Sequence, residues 1–380
     1  MISHRNRDRI VVDKSQEHIH IQNNDATRTP ALPASAGTNG TAKTLRKKIT
    51  RKYAMFLFLF LLVYVTYISF YENKLHMPIL DYGSESESQN LKTWTSKHLV
   101  DCQKITPVRD SNNGNQRSSI FVTTTMDPPF EMSIYDPKSD FVSSFIHKDG
   151  CWECDLLKKM LHALSTYPDS YFLDVGGNIG MWTLAAANAQ KETFTIEPLK
   201  ENYSRFCESV NKNSFNDRVH LLTTAATQTE QVFRLIIPYK NKGGTSVVPV
   251  TPDYAEKVNR DAVNIIKGVT IDSFNFPTDS PVVMKMDVEG HELQALLGAL
   301  EFMREANIVY LSMEHRTAKL QEQRDKWLAV FNLLSSKGLV PFRADPGKET
   351  ELNPNNLDEW KHFSHPRPRH FDVIWRRNKV

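Results

Sequence analysis

Two acids and three glycines, spaced as Asp174, Gly176, Gly177, Gly180 and Glu197, stand at the ends of two apolar runs, "YFLDVGGNIGMW" (171–182) and "TFTIEP" (193–198). A strand that runs through a glycine turn into a helix lets the backbone come close to a bound ligand. The turn reads G-G-N-I-G, with Asn178 in place of the second glycine of the dinucleotide fingerprint G-x-G-x-x-G, so a pyrophosphate cradle is disfavoured. Asp174, just before the turn, would repel a phosphate but suits a ligand carrying an amine and a sulfonium. Glu197, at the end of the next strand, can accept hydrogen bonds from both hydroxyls of a ribose. Together, Asp174, the turn residues Gly176, Gly177, Asn178 and Gly180, and Glu197 fit S-adenosylmethionine as cofactor.

A second charged cluster, "KMDVEGHE" (285–292), ends another apolar run. The two-residue period of a strand puts Lys285 and Asp287 on one face, with Glu289 and Glu292 just beyond. Charges at the end of a buried strand need a partner or a purpose, because burying them unpaired is costly. A third strand, "NIVYLSMEH", ends in Glu314 and His315.

The elements that must position these groups alternate. Strand "YFLDV", helix "IGMWTLAAANAQ", strand "TFTIEP", helix "LKENYSRFCESVNKN" and strand "RVHLLTTAAT" are followed by an irregular β-rich section. The series resumes with "PVVMKMDVEG", a helix "HELQALLGALEFMREA", "NIVYLSMEH", a helix closing near Gly338, and final strands "LVPFRADP" and "HFDVIWRRN". This order predicts an α/β domain built on a mostly parallel sheet with helices on both faces. The stretch 119–170 reads as an N-terminal cover on it.

The ordered set "LDVGGNIG", "TIEP", "KMDVEGHELQALLGA" and "MEH" resembles the FkbM-type family of S-adenosylmethionine-dependent methyltransferases. The resemblance covers about Ser119 to Arg316 well and the remainder loosely. It implies a class I methyltransferase (Rossmann-like), mostly parallel seven-stranded sheet with an antiparallel last strand, and O-methyl transfer to hydroxyls of sugars or polyketides. Gly177 and His291 stand where the family usually has alanine, and His291 bears on substrate contacts. Transfer to an alcohol needs a positioned base. Asp287 is favoured as base or hydroxyl anchor, His315 is second, and Lys285 either stabilises developing alkoxide charge or pairs with Asp287 or Glu314. Glu289, Glu292 and Glu314 are candidates for substrate hydroxyls, although Glu292 could instead cap its helix. Glu153 follows the family's habit of a glutamate upstream of the first helix and is a candidate substrate or cofactor contact. No ligand spacing demands a metal.

The 380 residues carry 47 basic and 44 acidic side chains, a formal charge of +3 that implies no nucleic-acid partner. Residues 1–52 are polar, with too little apolar surface to offset chain entropy, and read as a disordered cytosolic tail. The uncharged run "YAMFLFLFLLVYVTYISFY" (53–71) is long enough to span a bilayer, and "KTLRKKITRK" before it sets the tail in the cytosol. The sequence therefore predicts a single-pass type II membrane protein of the secretory pathway, Golgi by analogy of layout. It has a stem (72–118), a luminal methyltransferase domain (119–380), a glycan acceptor, and a transporter that must bring the cofactor into the lumen. Four cysteines allow a bridge from Cys102 to Cys151 or Cys154, with Cys207 as a core residue. The sequon at Asn202 is expected on the solvent face of its helix and glycosylated; that at Asn39 is cytosolic and bare. A glycosyltransferase is disfavoured, since D-x-D occurs nowhere. A lipid or small-molecule acceptor, or a non-catalytic binding protein on the same scaffold, remains an alternative.

Overall fold

The computed structural model describes residues 98–105, 119–257, 264–345, 347–361 and 370–378, all within one compact unit, Gln89–Val380. The expected tail and anchor lie outside the described residues. Among the described residues no helix is long and apolar enough to cross a membrane.

The chain opens with β1 (Leu99–Val100), the hairpin β2 (Ile120–Thr123) and β3 (Glu131–Ile134), and helices α1 (Phe141–Asp149) and α2 (Cys154–Thr166). An alternating series follows: β4 (Tyr171–Val175), α3 (Met181–Asn188), β5 (Thr193–Ile196), α4 (Lys200–Lys212) and β6 (Val219–Leu222). The β-rich section forms its own four-stranded sheet from β7 (Ala225–Ala226), β8 (Gln231–Ile236), β9 (Ser246–Val250) and β10 (Ile265–Val269), with α5 (Pro252–Lys257) between the last two. The main series continues through β11 (Pro281–Met286), α6 (Glu292–Leu297), α7 (Leu300–Glu305), β12 (Asn307–Arg316), α8 (Thr317–Glu322) and α9 (Arg324–Ser336). It closes with β13 (Val340–Asp345), β14 (Lys348–Glu351), α10 (Leu357–Lys361) and β15 (His370–Arg376).

The central sheet has the order β1-β6-β5-β4-β11-β12-β15-β13-β14. Strands β6, β5, β4, β11 and β12 are parallel, and β15 lies antiparallel between β12 and β13. That inner set of seven is the expected sheet. The full sheet is nine-stranded, because the β14 hairpin extends one edge and β1 the other. β1 belongs to the segment assigned to the stem, so the folded unit starts before residue 119. Strand β4 is buried on both faces, and the two-residue period divides it: Leu173 joins one core with Leu293, Phe302 and Phe331, while Phe172 joins the other with Leu157, Leu184 and Phe206. The predicted helix after β11 is broken at Gly298, where a Cβ would collide with the carbonyl of Thr227. At the end of α9, Gly338 adopts φ 78°, the left-handed cap its sequence position suggests.

One expectation fails because the cover lies on the outer face of α4. Ser133 N–H donates to Ser209 Oγ (2.9 Å), Tyr135 O–H donates to Asn202 Oδ1 (2.8 Å), and the Arg205 guanidinium lies 4.1 Å from the Tyr135 ring centre. Asn202, Arg205 and Ser209, expected at the solvent face, are all buried. In this fold Asn202 offers no free amide to a glycan, so the predicted glycosylation site is corrected. The cysteine pairing is corrected too: Cys102 bonds Cys207 of α4, with Cα atoms 4.8 Å apart, and Cys151 bonds Cys154 within the turn before α2.

Candidate functional site: a cleft over the first strand-to-helix turn

The parallel strands β4, β5 and β11 all point their carboxyl ends at one cleft of about 780 Å³. Its floor is the glycine turn. Gly176 (φ 93°) lies so close to β11 that a Cβ would strike the backbone carbonyl of Asp287, and a Cβ on Gly177 would strike the Thr195 side chain. The amides of Gly176 and Gly177 both donate to the carbonyl of Ile196 (2.9 and 3.1 Å), which locks the turn onto β5. Gly180 (φ 92°) starts α3, packed against Phe206, and does not line the cleft.

Glu197 lines the cleft, and its carboxylate is already engaged. Oε2 accepts from the Asn178 amide (2.8 Å), and Oε1 accepts from the Leu199 amide (2.9 Å) and the Asn202 side chain (3.2 Å). A carboxylate has about four lone-pair positions, so one at Oε2 remains for a ligand hydroxyl. Burial pushes its pKa up to about 7 against the lowering effect of those N–H bonds. Asp174, expected to face the ligand, instead sits buried beneath the turn. Its Oδ2 accepts from Thr183 Oγ1 (2.7 Å) and its Oδ1 has no partner. Burial raises its pKa, partly offset by Lys285.

The reactive end of the cleft is assembled around Lys285 and Asp287. Lys285 Nζ lies 3.2 Å from Asp287 Oδ2 and 5.5 Å from the Trp182 ring centre. Burial alone would lower the Lys285 pKa, but Asp287, Asp174 and Glu153 outweigh it and hold the ammonium above its ordinary range. Asp287 Oδ1 has no protein partner. Glu153, in a left-handed backbone conformation (φ 53°), accepts from Trp182 Nε1 (3.2 Å). Burial pushes its carboxyl up to about 8, offset by Lys285 and reinforced by Asp287 and Asp372, so it is mostly protonated at neutral pH.

The remaining acids divide. Glu289 (φ 55°) lines the cleft and pairs with Arg316, which also holds Glu314 (3.2 Å). Glu292 lies outside the lining; its Oε1 accepts from the amides of Val288 (3.3 Å) and Gly290 (2.9 Å), which braces the turn ahead of the helix rather than capping the helix itself. Burial pushes both Glu289 and Glu292 up to about 7. One carboxylate oxygen each from Asp287, Glu292 and Glu314 lies within 4.8 Å of the others, a set that could hold a divalent cation. His291 lines the cleft with Nε2 3.2 Å from Thr227 Oγ1, and burial lowers its pKa to about 4, so it is neutral.

His315, the second candidate base, is removed from the chemistry. It follows Glu314 on β12 and faces the opposite way, fully buried among Trp327, Phe331, Trp360 and Phe371 at ring-centre distances of 5.1 to 5.9 Å. Neither ring nitrogen has a hydrogen-bond partner, and burial lowers its pKa to about 3. Sequence reasoning overlooked Trp152, Trp182, Asn202, the loop residues Gly243 and Thr245, and Asp372. The first five line the cleft. Asp372 pairs in register with Glu314 across β12 and β15, and burial, Asp287 and Glu314 push it up to about 7. A lone acid in the otherwise apolar strand "HFDVIW" was the available signal.

A doubly wound sheet with β15 reversed, and a cleft over its first glycine turn, match the class I methyltransferase arrangement that the sequence leads one to expect. The cleft suits S-adenosylmethionine: Ile196, Ala225 and Ala226 offer apolar wall for a base, and Glu197 offers a ribose acceptor. Residues 174–340 match the model of the methyltransferase FkbM domain, which supports the FkbM family and an S-adenosylmethionine-dependent methyltransferase. Among curated proteins none matches the chain. Similar solved structures include a precorrin-6y C5,15-methyltransferase from Geobacter metallireducens (9% identity, 65% of this chain and 98% of that one, TM-score 0.30). Another is an S-adenosylmethionine-dependent O-methyltransferase from Thermotoga maritima (9%, 60% and 65%, TM-score 0.29). A third is an S-adenosylmethionine-dependent methyltransferase from Agrobacterium tumefaciens (10%, 69% and 72%, TM-score 0.32). Likeness at this level says nothing of the substrate.

Proposed function

We propose that the protein is an O-methyltransferase that acts on a hydroxyl of a glycan in the secretory pathway, held by residues 53–71 as a type II Golgi membrane protein with its catalytic unit in the lumen. The observation that carries the chemistry is the state of Asp287: Oδ2 is fixed by Lys285 while Oδ1 has no protein partner, at the strand end beside the glycine turn.

Bound S-adenosylmethionine supplies an electrophilic methyl group. The Asp287 carboxylate orients the acceptor hydroxyl and takes its proton as the new oxygen–carbon bond forms and the sulfonium–methyl bond breaks. Lys285, a fixed ammonium, stabilises the charge that grows on that oxygen. Protonated Glu153 can donate to a neighbouring acceptor oxygen, and Glu289 can accept from another hydroxyl.

The compartment is supported by two disulfides that leave no cysteine free, a pattern of oxidising compartments, and by the apolar run with its basic flank. In that setting a transporter must deliver the cofactor across the membrane. The test is transfer of labelled methyl from S-adenosylmethionine to a panel of free glycans by the full chain, beside protease protection in sealed microsomes. Label entering only lipid or small-molecule fractions rejects the glycan reading; digestion of the catalytic unit without detergent rejects the lumen.

A further inference from the structure

Beside the cleft mouth three aromatic rings stand together, two of them exposed and the third, Trp152, half-buried against the core. Phe141 and Phe145, four residues apart on one face of α1, are 49% and 39% exposed. Their ring centres lie 5.1 Å apart, and 5.7 and 5.3 Å from the ring of Trp152, all edge to face. Their mounting is firm. Asp140 caps α1 through the Ser143 amide (2.8 Å) and with its other oxygen accepts from the amide of Lys242 (3.0 Å), while Trp152 sits in the turn closed by Cys151 and Cys154. The patch is continuous with the cofactor cleft, since Trp152 and Val142, the residue after Phe141, line it. On the other side of Trp152 in sequence is Glu153, beside Lys285.

The charges of the cleft limit what can lie there. Among the described residues Lys285 is the one lysine or arginine in its lining, and it is surrounded by Asp287, Asp174 and Glu153. Arg316, near Gly290, is taken by Glu289 and Glu314. Among the described residues of the cleft lining, a phosphate, sulfate or carboxylate on the acceptor would meet carboxyl groups, with Lys285 already engaged by Asp287; Lys240 and Lys242 stand on the platform side, outside that lining. Hydroxyl groups would meet acceptors in abundance. An apolar ring face set against aromatic rings, with hydroxyls at its edge, is the shape of a pyranose.

Resting on the methyltransferase reading above, we propose that Phe141, Phe145 and Trp152 form the acceptor platform and that the acceptor it takes is an uncharged pyranoside, stacked by its apolar face. An acidic sugar or an anionic lipid headgroup is refused by the cleft's carboxyl groups.

The experiment uses the full chain in detergent micelles, with S-adenosylhomocysteine for binding and labelled S-adenosylmethionine for transfer, an immobilised array of neutral N-glycans and their sialylated counterparts, and phosphatidylcholine vesicles. Binding and methyl transfer are read separately. Neutral glycans are expected to bind and sialylated termini to be rejected. The double variant Phe141→Ser/Phe145→Ser is expected to raise the acceptor KM by about tenfold or more, with S-adenosylmethionine affinity and thermal midpoint unchanged. Phe141→Tyr/Phe145→Tyr, which keeps the stacking faces, should behave as the parent and guards against a folding artefact. Equal acceptor affinity in the serine variant, preference for sialylated glycans, or a patch that binds only vesicles overturns the platform. Platform-dependent glycan binding without methyl transfer leaves the platform standing and overturns the methyltransferase reading instead.

Discussion

Replacing His315 by phenylalanine isolates the cost of one buried imidazole. Its two nitrogens have no partner, it is enclosed by four aromatic side chains, and burial moves its pKa from 6.5 to about 3. The folded state therefore favours the neutral ring. Because the folded pKa lies below the unfolded one, the stability the neutral ring permits is fully present above the unfolded value and is lost as pH falls below it. Per pH unit that loss approaches about 1.4 kcal/mol, so between pH 7 and pH 5 the wild type should lose about 2 kcal/mol through this residue alone. Glu197, Glu289, Glu292 and Asp372, each pushed up to about 7, act in the opposite sense, losing stability as pH rises through the range between their ordinary values and 7. The wild-type curve alone is thus ambiguous, whereas the difference between wild type and His315→Phe is specific. Urea denaturation of the unit Gln89–Val380, followed by tryptophan fluorescence at pH 7 and pH 5, should show the variant gaining about 2 kcal/mol on the wild type over that interval. Parallel curves for the two proteins would refute a buried, neutral His315.

Asp287→Asn should lower turnover by about a hundredfold or more, with S-adenosylmethionine affinity little changed; retained turnover removes Asp287 as base. Glu197→Ala should weaken cofactor binding by about 1 to 3 kcal/mol, and an unchanged calorimetric Kd would take Glu197 out of the site. Gly176→Ala, which places a methyl against the Asp287 carbonyl at a positive φ, should cost about 3 kcal/mol or more; a wild-type melting temperature would contradict the close approach of β4 and β11. An amidase that strips N-glycans should not change the mobility of the folded cellular protein through Asn202, and a glycan found there would contradict its burial under the cover.

What could be read in the sequence followed from periodicity and punctuation. The alternation of strand and helix, the glycine turn at Gly176 and the strand-end acid Asp287 are local signals, and the mostly parallel sheet follows from them; seven strands with the last one antiparallel come from the family resemblance. The failures share a tertiary cause. Nothing local distinguishes a polar helix face wetted by solvent from one covered by a distant hairpin, so Asn202, Arg205 and Ser209 looked exposed. His315 and Glu314 are adjacent, so they face opposite sides of the sheet, and a single step in the register of β12 against β15 puts Asp372 beside Glu314 and Phe371 beside His315. Asp174 was correctly placed at a strand end, but the close contact of Gly176 with β11 closes the space above it.

The bridge between Cys102 and Cys207 has a mechanical consequence. A pull on the chain from the N-terminal side would, among the described residues, peel only the two-residue strand β1 before reaching Cys102. From there the covalent route leads directly to α4, across a sequence separation of 105 residues. Tension would bypass the hairpin cover, the aromatic platform, the glycine turn and Glu197, all of which lie within the closed loop. With the bond reduced, the same pull would run through the cover and into β4, and the cofactor cleft would bear the load.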